Sequence, residues 1–271
     1  MRYSRQALCW IAFLCASAIT IGSAGALGAH VAPAVAVQDP ENIDPRDLQI
    51  LAILYIENNQ SHEAIPLLER SVDLYPENGE TYMWLGFAQY MTEQYDLAEE
   101  SYMKALSRNP TLTDTRNYLG LLRYKQGDLN AAIREFLVAL RDPVYPPLSK
   151  ARVRLNLGNV YLEIGNPNAA REQLANGANS VAKSDQVYPP LHIQLARSLK
   201  ELGRMQEAIA ALLKVIEVDE QHVGAHLELG MAYRDLSQSP AARRHLQKVI
   251  DLAPGTEASA RAQAAIAGLG G

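Results

Sequence analysis

Apolar residues recur along the chain with a period of 34 positions. Pro76 and Pro110 stand 34 residues apart, and each follows a run whose apolar residues recur at helical spacing. When the first period starts at Pro45 and is shifted by 34, later apolar positions come into register, and the third and fourth periods are 38 residues long. The pattern predicts six pairs of amphipathic helices, over residues 45–78, 79–112, 113–150, 151–188, 189–222 and 223–256.

Three places in the period hold the same kind of residue in every copy. The seventh place always holds leucine: Leu51, Leu85, Leu119, Leu157, Leu195 and Leu229. The eighth place holds a small residue: Ala52, Gly86, Gly120, Gly158, Ala196 and Gly230. The twentieth place holds alanine: Ala64, Ala98, Ala132, Ala170, Ala208 and Ala242. Because helices approach closely only where side chains are small, we expect the two small places to mark the contact within each pair.

Larger side chains and helix breakers complete this pattern. The twenty-fourth place should fill the space beside the close contact: Leu68, Tyr102, Phe136, Leu174, Leu212 and Leu246. Glycines fall between the two helices of three pairs, where a left-handed backbone costs glycine least: Gly127, Gly165 and Gly203. Prolines end three second helices: Pro76, Pro110 and Pro254. Residues 257–271 have helical composition and a glycine-rich end, which predicts a capping helix and tail.

These columns resemble the tetratricopeptide repeat over residues 45–256. The resemblance implies an all-α fold, a right-handed α-solenoid of six tetratricopeptide hairpins followed by a C-terminal capping helix. The sequence departs from the family at the fourth place, where the consensus has tryptophan and this chain has Leu48, Tyr82, Arg116, Arg154, His192 and His226. The closing proline is also absent from the fourth and fifth repeats, which have Ala182 and Glu220 there.

The N-terminal residues have the composition of an export signal. Two arginines precede an uncharged apolar run at residues 7–21, and Ala24-Gly25-Ala26 fits a signal-peptidase site. We expect a signal peptide over residues 1–26, with an alternative end at residue 36, and a linker over residues 37–44. An uncleaved membrane anchor is the alternative, although the run is shorter than the roughly 20 residues of a spanning helix.

Composition and motifs argue against several classes of function. The chain has 271 residues, of which 48% are hydrophobic, and 25 basic against 30 acidic residues give a net charge of −5. A net negative charge does not suit a nucleic-acid ligand, whose phosphates must be neutralised by basic residues. Both cysteines, Cys9 and Cys15, lie in the predicted signal peptide, so the mature chain would offer no thiol. No nucleophile elbow, phosphate-binding loop or dinucleotide fingerprint is present, and we expect a non-enzymatic protein without a cofactor.

One histidine pair has a spacing that metal sites use. His222 and His226 are four residues apart on a predicted helix. No carboxylate motif of the zinc-protease type accompanies them, and His226 occupies a packing column. We therefore expect these residues to pack rather than to bind a metal.

The family resemblance implies a partner-binding groove lined by the first helix of each pair. In the family, the second, fifth, ninth, twelfth and thirteenth places generally face this groove, and the sixth sometimes does. In the first three repeats we expect these places to form an exposed, mainly apolar patch that binds a protein: Ile53, Ile56, Met83, Trp84, Phe87, Tyr90, Met91, Asn117, Leu121 and Tyr124. The alternative is that these side chains pack against the linker or a neighbouring repeat.

In the later repeats the same places carry basic and amide side chains. They are Arg152, Asn159, Arg197, Lys200 and Arg234. Such a stretch is suited to carboxylates of a bound peptide. Ordinary solvated charge is the alternative.

A closer resemblance is to the tetratricopeptide proteins of type IV pilus biogenesis and stability. It rests on a Tyr-Pro junction at Tyr145, a following Asn-Leu-Gly at residues 156–158, and a second Tyr-Pro-Pro at Tyr188. The resemblance implies an exported bacterial protein, periplasmic or associated with the outer membrane, that binds secretin or pilus-machinery components and assists secretin assembly or stability. Several members carry a lipidated cysteine, and no usable one is present here, so membrane contact is expected only through an uncleaved N-terminal segment. The alternative is an adaptor for another envelope machine, such as polysaccharide export or cell-wall synthesis.

Overall fold

The computed structural model describes residues 44–269, and in this part of the chain it contains thirteen α-helices and no β-strand. The all-α fold predicted from the sequence is confirmed. The predicted signal peptide, the linker up to residue 43, both cysteines and residues 270–271 lie outside the described residues. None of the described helices is both long enough and apolar enough to cross a membrane.

The helices alternate with short connections. In chain order they are α1 Pro45–Glu57, α2 Ser61–Leu74, α3 Gly79–Met91, α4 Tyr95–Arg108, α5 Thr113–Lys125, α6 Leu129–Leu140, α7 Pro147–Glu163, α8 Pro167–Ala178, α9 Tyr188–Glu201, α10 Met205–Val218, α11 Val223–Asp235, α12 Ser239–Leu252 and α13 Glu257–Ala267. They form two compact units that divide within α5, after Leu122. The number of repeats and the right-handed winding stay predictions.

Polar side chains fix several helix starts. Asp44 Oδ1 accepts a hydrogen bond of 2.8 Å from the backbone N–H of Arg46, and Asn78 Oδ1 accepts one of 3.1 Å from that of Glu80. These bonds satisfy backbone donors that have no partner inside the helix. The same capping occurs at the start of α6, where Asp128 Oδ1 accepts from the backbone of Ala131 at 2.9 Å.

The two inserted segments take different forms. In the first, Pro146 is extended and α7 begins at Pro147, four residues before the predicted start of the fourth repeat at Ala151. Proline is tolerated in the first turn because the backbone N–H that it lacks has no helical partner there. The insertion therefore lengthens the first helix instead of only separating two helices. In the second case the extra residues lie in the connection between α8 and α9, at residues 179–187.

The close contact expected within each pair is present at three eighth-place glycines, Gly86, Gly158 and Gly230. A Cβ atom on Gly158 would lie 2.5 Å from Cγ of Leu174, and one on Gly230 would lie 2.6 Å from Cγ of Leu246. In the first unit a Cβ atom on Gly86 would lie 2.7 Å from the ring of Tyr102. The facing twenty-fourth-place residues are fully buried. The small residue thus allows its helix to lie directly against a large side chain of the partner helix.

All six turns between paired helices contain one residue with positive φ. The three predicted glycines have φ of 82°, 72° and 72°, at Gly127, Gly165 and Gly203, which confirms their role. Asn59, Glu93 and Ser237 occupy the same place in the other turns, with φ of 59°, 62° and 57°. In every case the next residue donates its backbone N–H to the carbonyl five residues earlier, at 2.8 to 2.9 Å. This helix-ending hydrogen bond requires the left-handed residue whether or not it is glycine.

The last helix covers the end of the second unit. Ser259, Ala262 and Ala265 of α13 are buried, and the two alanines join a cluster with Leu246 and Val249 of α12. Because these three side chains are small, α13 lies close to the apolar residues beneath it.

Substituting alanine for Gly158 should test the close contact. The added methyl group meets the fully buried Leu174, which cannot move into solvent. We expect the free energy of unfolding to fall by about 1–3 kcal/mol, measured by denaturant unfolding followed by circular dichroism. Gly224→Ala is the matched control, because its Cβ atom would meet nothing closer than 3.4 Å. Equal stability of the two variants would show that the contact does not constrain the helices.

Glycine at position 93 should stabilise the first unit. Glu93 is exposed and has φ of 62°, a conformation that costs a non-glycine residue about 1–2 kcal/mol. Glycine removes this strain but loses more backbone entropy on folding, so we expect Glu93→Gly to raise the free energy of unfolding by up to about 1 kcal/mol. The reciprocal Gly203→Ala should lower it. A melting temperature that falls for Glu93→Gly would contradict this account.

Candidate functional site

Five residues of the expected apolar patch are buried in the first unit. They are Ile53, Ile56, Met83, Trp84 and Phe87. Trp84 and Phe87 are each only 4% exposed, and their rings meet edge to face with centroids 6.0 Å apart. Phe87 also contacts Tyr118 of α5, with ring centroids 5.0 Å apart. The expectation of an exposed patch is therefore wrong for these five residues, because neighbouring helices fill the space around them.

The other predicted groove residues keep some exposure. Arg197 is exposed, and the rest are partly buried: Tyr90, Met91, Asn117, Leu121, Tyr124, Arg152, Asn159, Lys200 and Arg234. Burial, with a smaller effect of Tyr95, raises the pKa of Tyr90 to about 12. Its hydroxyl therefore stays protonated at neutral pH. Hydrogen bonding to Glu163 raises the pKa of Tyr124, so that the Tyr124 hydroxyl is a donor already bound to a carboxylate.

Three of the four predicted basic groove residues of the second unit are paired with acids. Lys200 Nζ lies 2.7 Å from Glu228 Oε2, and Arg234 Nη2 lies 2.8 Å from Asp235 Oδ1. Arg197 Nε is 3.6 Å from Glu201 Oε1, on the same helix. These partners cancel much of the positive charge that a bound carboxylate would need. Binding of a peptide carboxylate by these basic residues is thus less favoured than binding of a peptide by amide side chains.

Two buried amide oxygens of the second unit accept no hydrogen bond from the described residues. They are Asn159 Oδ1 on α7 and Gln194 Oε1 on α9. The two helices contact one another. Buried polar atoms are nearly always hydrogen-bonded, and an unsatisfied one costs about 1–3 kcal/mol. Sequence reasoning selected Asn159 but missed Gln194, although its place, the sixth, sometimes faces the groove in this family.

The histidines four residues apart do not point to a shared ligand. His222 caps the start of α11, where its Nδ1 accepts a hydrogen bond of 3.1 Å from the backbone N–H of Ala225. His226 uses both ring nitrogens: Nδ1 lies 2.9 Å from Nδ1 of His245, and Nε2 lies 3.0 Å from the carbonyl oxygen of Glu220. Within residues 44–269 no group of three or more His, Cys, Asp or Glu side chains is arranged to hold a metal ion.

Two histidines, the buried His192 and the partly buried His245, are neutral at neutral pH. Burial lowers the pKa of His245 to about 4, with smaller effects of His226 and Arg244. Burial also lowers the pKa of His192 to about 4, assisted by Lys214 and opposed by Glu217. The His245 ring stacks on Tyr233, with centroids 5.5 Å apart.

Acid should therefore destabilise the second unit. The unfolded chain binds a proton at each of these histidines below about pH 6.5, whereas the folded chain does so only near pH 4. The stability contribution of the neutral rings is complete above pH 6.5 and is lost as the pH falls from 6.5 to 4. We expect His245→Gln to reduce the loss of melting temperature over this window, and His62→Gln, an exposed control in α2, to leave it unchanged. Identical pH profiles for His245→Gln and the parent chain would refute this assignment.

Comparison with known proteins agrees with this architecture. A family model for the tetratricopeptide repeat matches residues 51–112, 118–184 and 193–257. The type IV pilus assembly protein PilF of Pseudomonas aeruginosa is 28% identical over 130 residues, which are 48% of this chain and 51% of that protein. The chain thus spans about half the length of this curated relative.

Solved structures share the fold. The structure of Pseudomonas aeruginosa PilF gives a TM-score of 0.69 at 20% identity, covering 81% of this chain and 96% of the other. PilW, a type IV pilus biogenesis factor, gives a TM-score of 0.71 at 21% identity, covering 80% and 96%. Because the three family matches together cover more than half of its residues, the chain belongs to the tetratricopeptide repeat family.

Proposed function

We propose that the protein is an exported, non-enzymatic scaffold that binds protein partners during assembly or stabilisation of the type IV pilus and its secretin pore. The likeness to PilF over 130 residues supports the pilus role, since that relative is a type IV pilus assembly protein. The predicted signal peptide at residues 1–26 supports export.

The pair of unsatisfied amide oxygens carries the proposal of a binding site. Asn159 Oδ1 and Gln194 Oε1 are buried acceptors, and N–H donors of a partner would satisfy them when the two amide side chains turn toward it on binding. An extended peptide offers such donors along its backbone, and its carbonyl groups can accept from the amide nitrogens of the same side chains. A bound segment of a partner protein would thus remove the cost of both buried oxygens. This makes the faces of α7 and α9 the proposed contact.

The partly buried residues of the first unit form a second candidate contact of their own. Tyr90, Met91 and Leu121 combine apolar area with some solvent exposure, which suits side chains of a partner at the edge of a contact. The paired charges at Lys200 and Glu228 would select against partners that place an unpaired charge beside them.

An isosteric double substitution should separate binding from folding. Asn159→Leu with Gln194→Met removes both buried oxygens while keeping side-chain volume, so we expect an unchanged or higher melting temperature. In a deletion strain of the source organism, this variant should fail to restore surface pili and heat-resistant secretin multimers. Asn168→Leu with Gln206→Met makes the same changes at exposed positions of α8 and α10 and should restore both.

Two other results would reject parts of the proposal. Full restoration by the Asn159 and Gln194 variant would remove these residues from the binding site. Normal pili and normal secretin multimers in the deletion strain itself would reject the pilus role. The alternative, an adaptor for another envelope machine, would then be favoured.

A further inference from the structure

The first helix presents an apolar face to solvent. Ile50 is 56% exposed and Leu54 is 40% exposed, and the two lie one turn apart on α1. Asp47 and Glu57 lie on the same face, one turn before Ile50 and one turn after Leu54. The face is therefore an apolar centre between two carboxylates.

Two of the four places on this face, the third and the tenth, are buried on every later first helix. At the sixth place, which Ile50 occupies in α1, Trp84 and Tyr118 are buried, and the later residues are partly buried. Leu54 occupies the tenth place of the repeat. In the later first helices the residues at this place are at most 1% exposed: Ala88, Leu122, Val160, Ser198 and Ala232. Asp47 occupies the third place. In the later first helices the residues at this place are fully buried: Thr81, Thr115, Val153, Leu191 and Ala225. In the first unit α3 packs against α2, and in the second unit α9 packs against α8 and α11 against α10. In α1 these places correspond to those through which a later first helix packs on the helix before it. No described helix precedes α1.

Charge selects the kind of helix that fits this face. Residues 44–122 carry thirteen acidic and five basic side chains, whereas residues 123–269 carry fifteen acidic and eighteen basic ones. Within the described residues neither Asp47 nor Glu57 forms an ion pair. A helix with basic residues flanking its apolar stripe would be attracted to this surface, and an acidic one would be repelled.

Neither the segment before α1 nor a second copy of the protein offers the basic residues that this face requires. Residues 27–43, which precede α1 after the predicted cleavage, contain no lysine or arginine and two acids, Asp39 and Glu41. A second copy that docked through the same face would oppose its own Asp47 and Glu57 to the first pair, and like charges in contact are unfavourable.

We propose that the Ile50–Leu54 face of α1 docks a basic amphipathic helix of a partner protein. The partner's apolar stripe covers Ile50 and Leu54, and its basic residues lie beside Asp47 and Glu57. This contact is separate from the proposed peptide site on α7 and α9, so a failure of one leaves the other testable.

A synthetic peptide provides the probe. The sequence of residues 239–252 is an amphipathic helix in this protein and carries Arg243, Arg244 and Lys248 against Asp251. Its acidic twin has glutamate in place of the three basic residues. We expect the labelled basic peptide to bind the full chain in fluorescence anisotropy at least about tenfold more tightly than the twin, and to lose affinity as salt is added.

Matched variants locate the contact. Ile50→Ser with Leu54→Ser should weaken binding of the basic peptide by about tenfold or more, because apolar area is lost from the contact. Leu97→Ser with Met103→Ser removes similar side chains of α4 that are 48% and 54% exposed, and it should leave the affinity within about twofold. The Asn159 and Gln194 variant should also bind the peptide normally. Equal affinity of the Ile50 and Leu54 variant and the parent chain, or no binding at all, would overturn the proposal.

Photocrosslinking distinguishes the other occupants. A benzophenone amino acid at position 50 of the full chain should crosslink to the basic peptide, as identified by mass spectrometry. Crosslinks to residues before position 44 despite excess peptide would show that the chain covers its own face. Crosslinked dimers that peptide does not displace would show that a second copy occupies it. Either result would replace the partner helix as the occupant.

Discussion

The close approach of two helices within each pair is the constraint on which the rest of the structure depends. At Gly86, Gly158 and Gly230 there is no space for even one methyl group, because a buried Tyr102, Leu174 or Leu246 lies directly opposite. This contact fixes which side of each first helix faces its partner. Of the remaining sides of each first helix, one then faces the preceding pair and the other faces solvent or a ligand. Every candidate binding residue is therefore positioned by a contact in which it takes no part.

The period predicted this arrangement well because packing between adjacent helices is local in sequence. Four of the first helices, those at Pro45, Gly79, Thr113 and Val223, begin where the shifted period starts. The left-handed residues Glu93 and Ser237 could not be predicted from residue type, whereas Asn59 is of a type that adopts this conformation more readily. Their conformation follows from the helix-ending hydrogen bond, which position alone determines. Repetition was thus more informative than composition at these turns.

The candidate site was less predictable because its exposure depends on contacts distant in sequence. Phe87 was expected in an open groove, and Tyr118, 31 positions later, buries it. Lys200 was expected to offer a free positive charge, and Glu228, on another first helix, neutralises it. His226 has metal-ligand spacing to His222 but bonds to His245 of the paired helix. In each case the helical pattern alone was insufficient, because the contacting residue came from a different helix.

The two ends of the described chain show what such an array requires. At the C-terminal end α13 places Ala262 and Ala265 against the last pair, so the apolar residues there are covered. At the N-terminal end α1 places Ile50 and Leu54 in solvent between two acids. An array built from identical contacts always leaves one unmatched face at each end, since each pair contacts only its neighbours. One end here is closed by the chain itself, and the acidic residues of the other end determine which helix can close it.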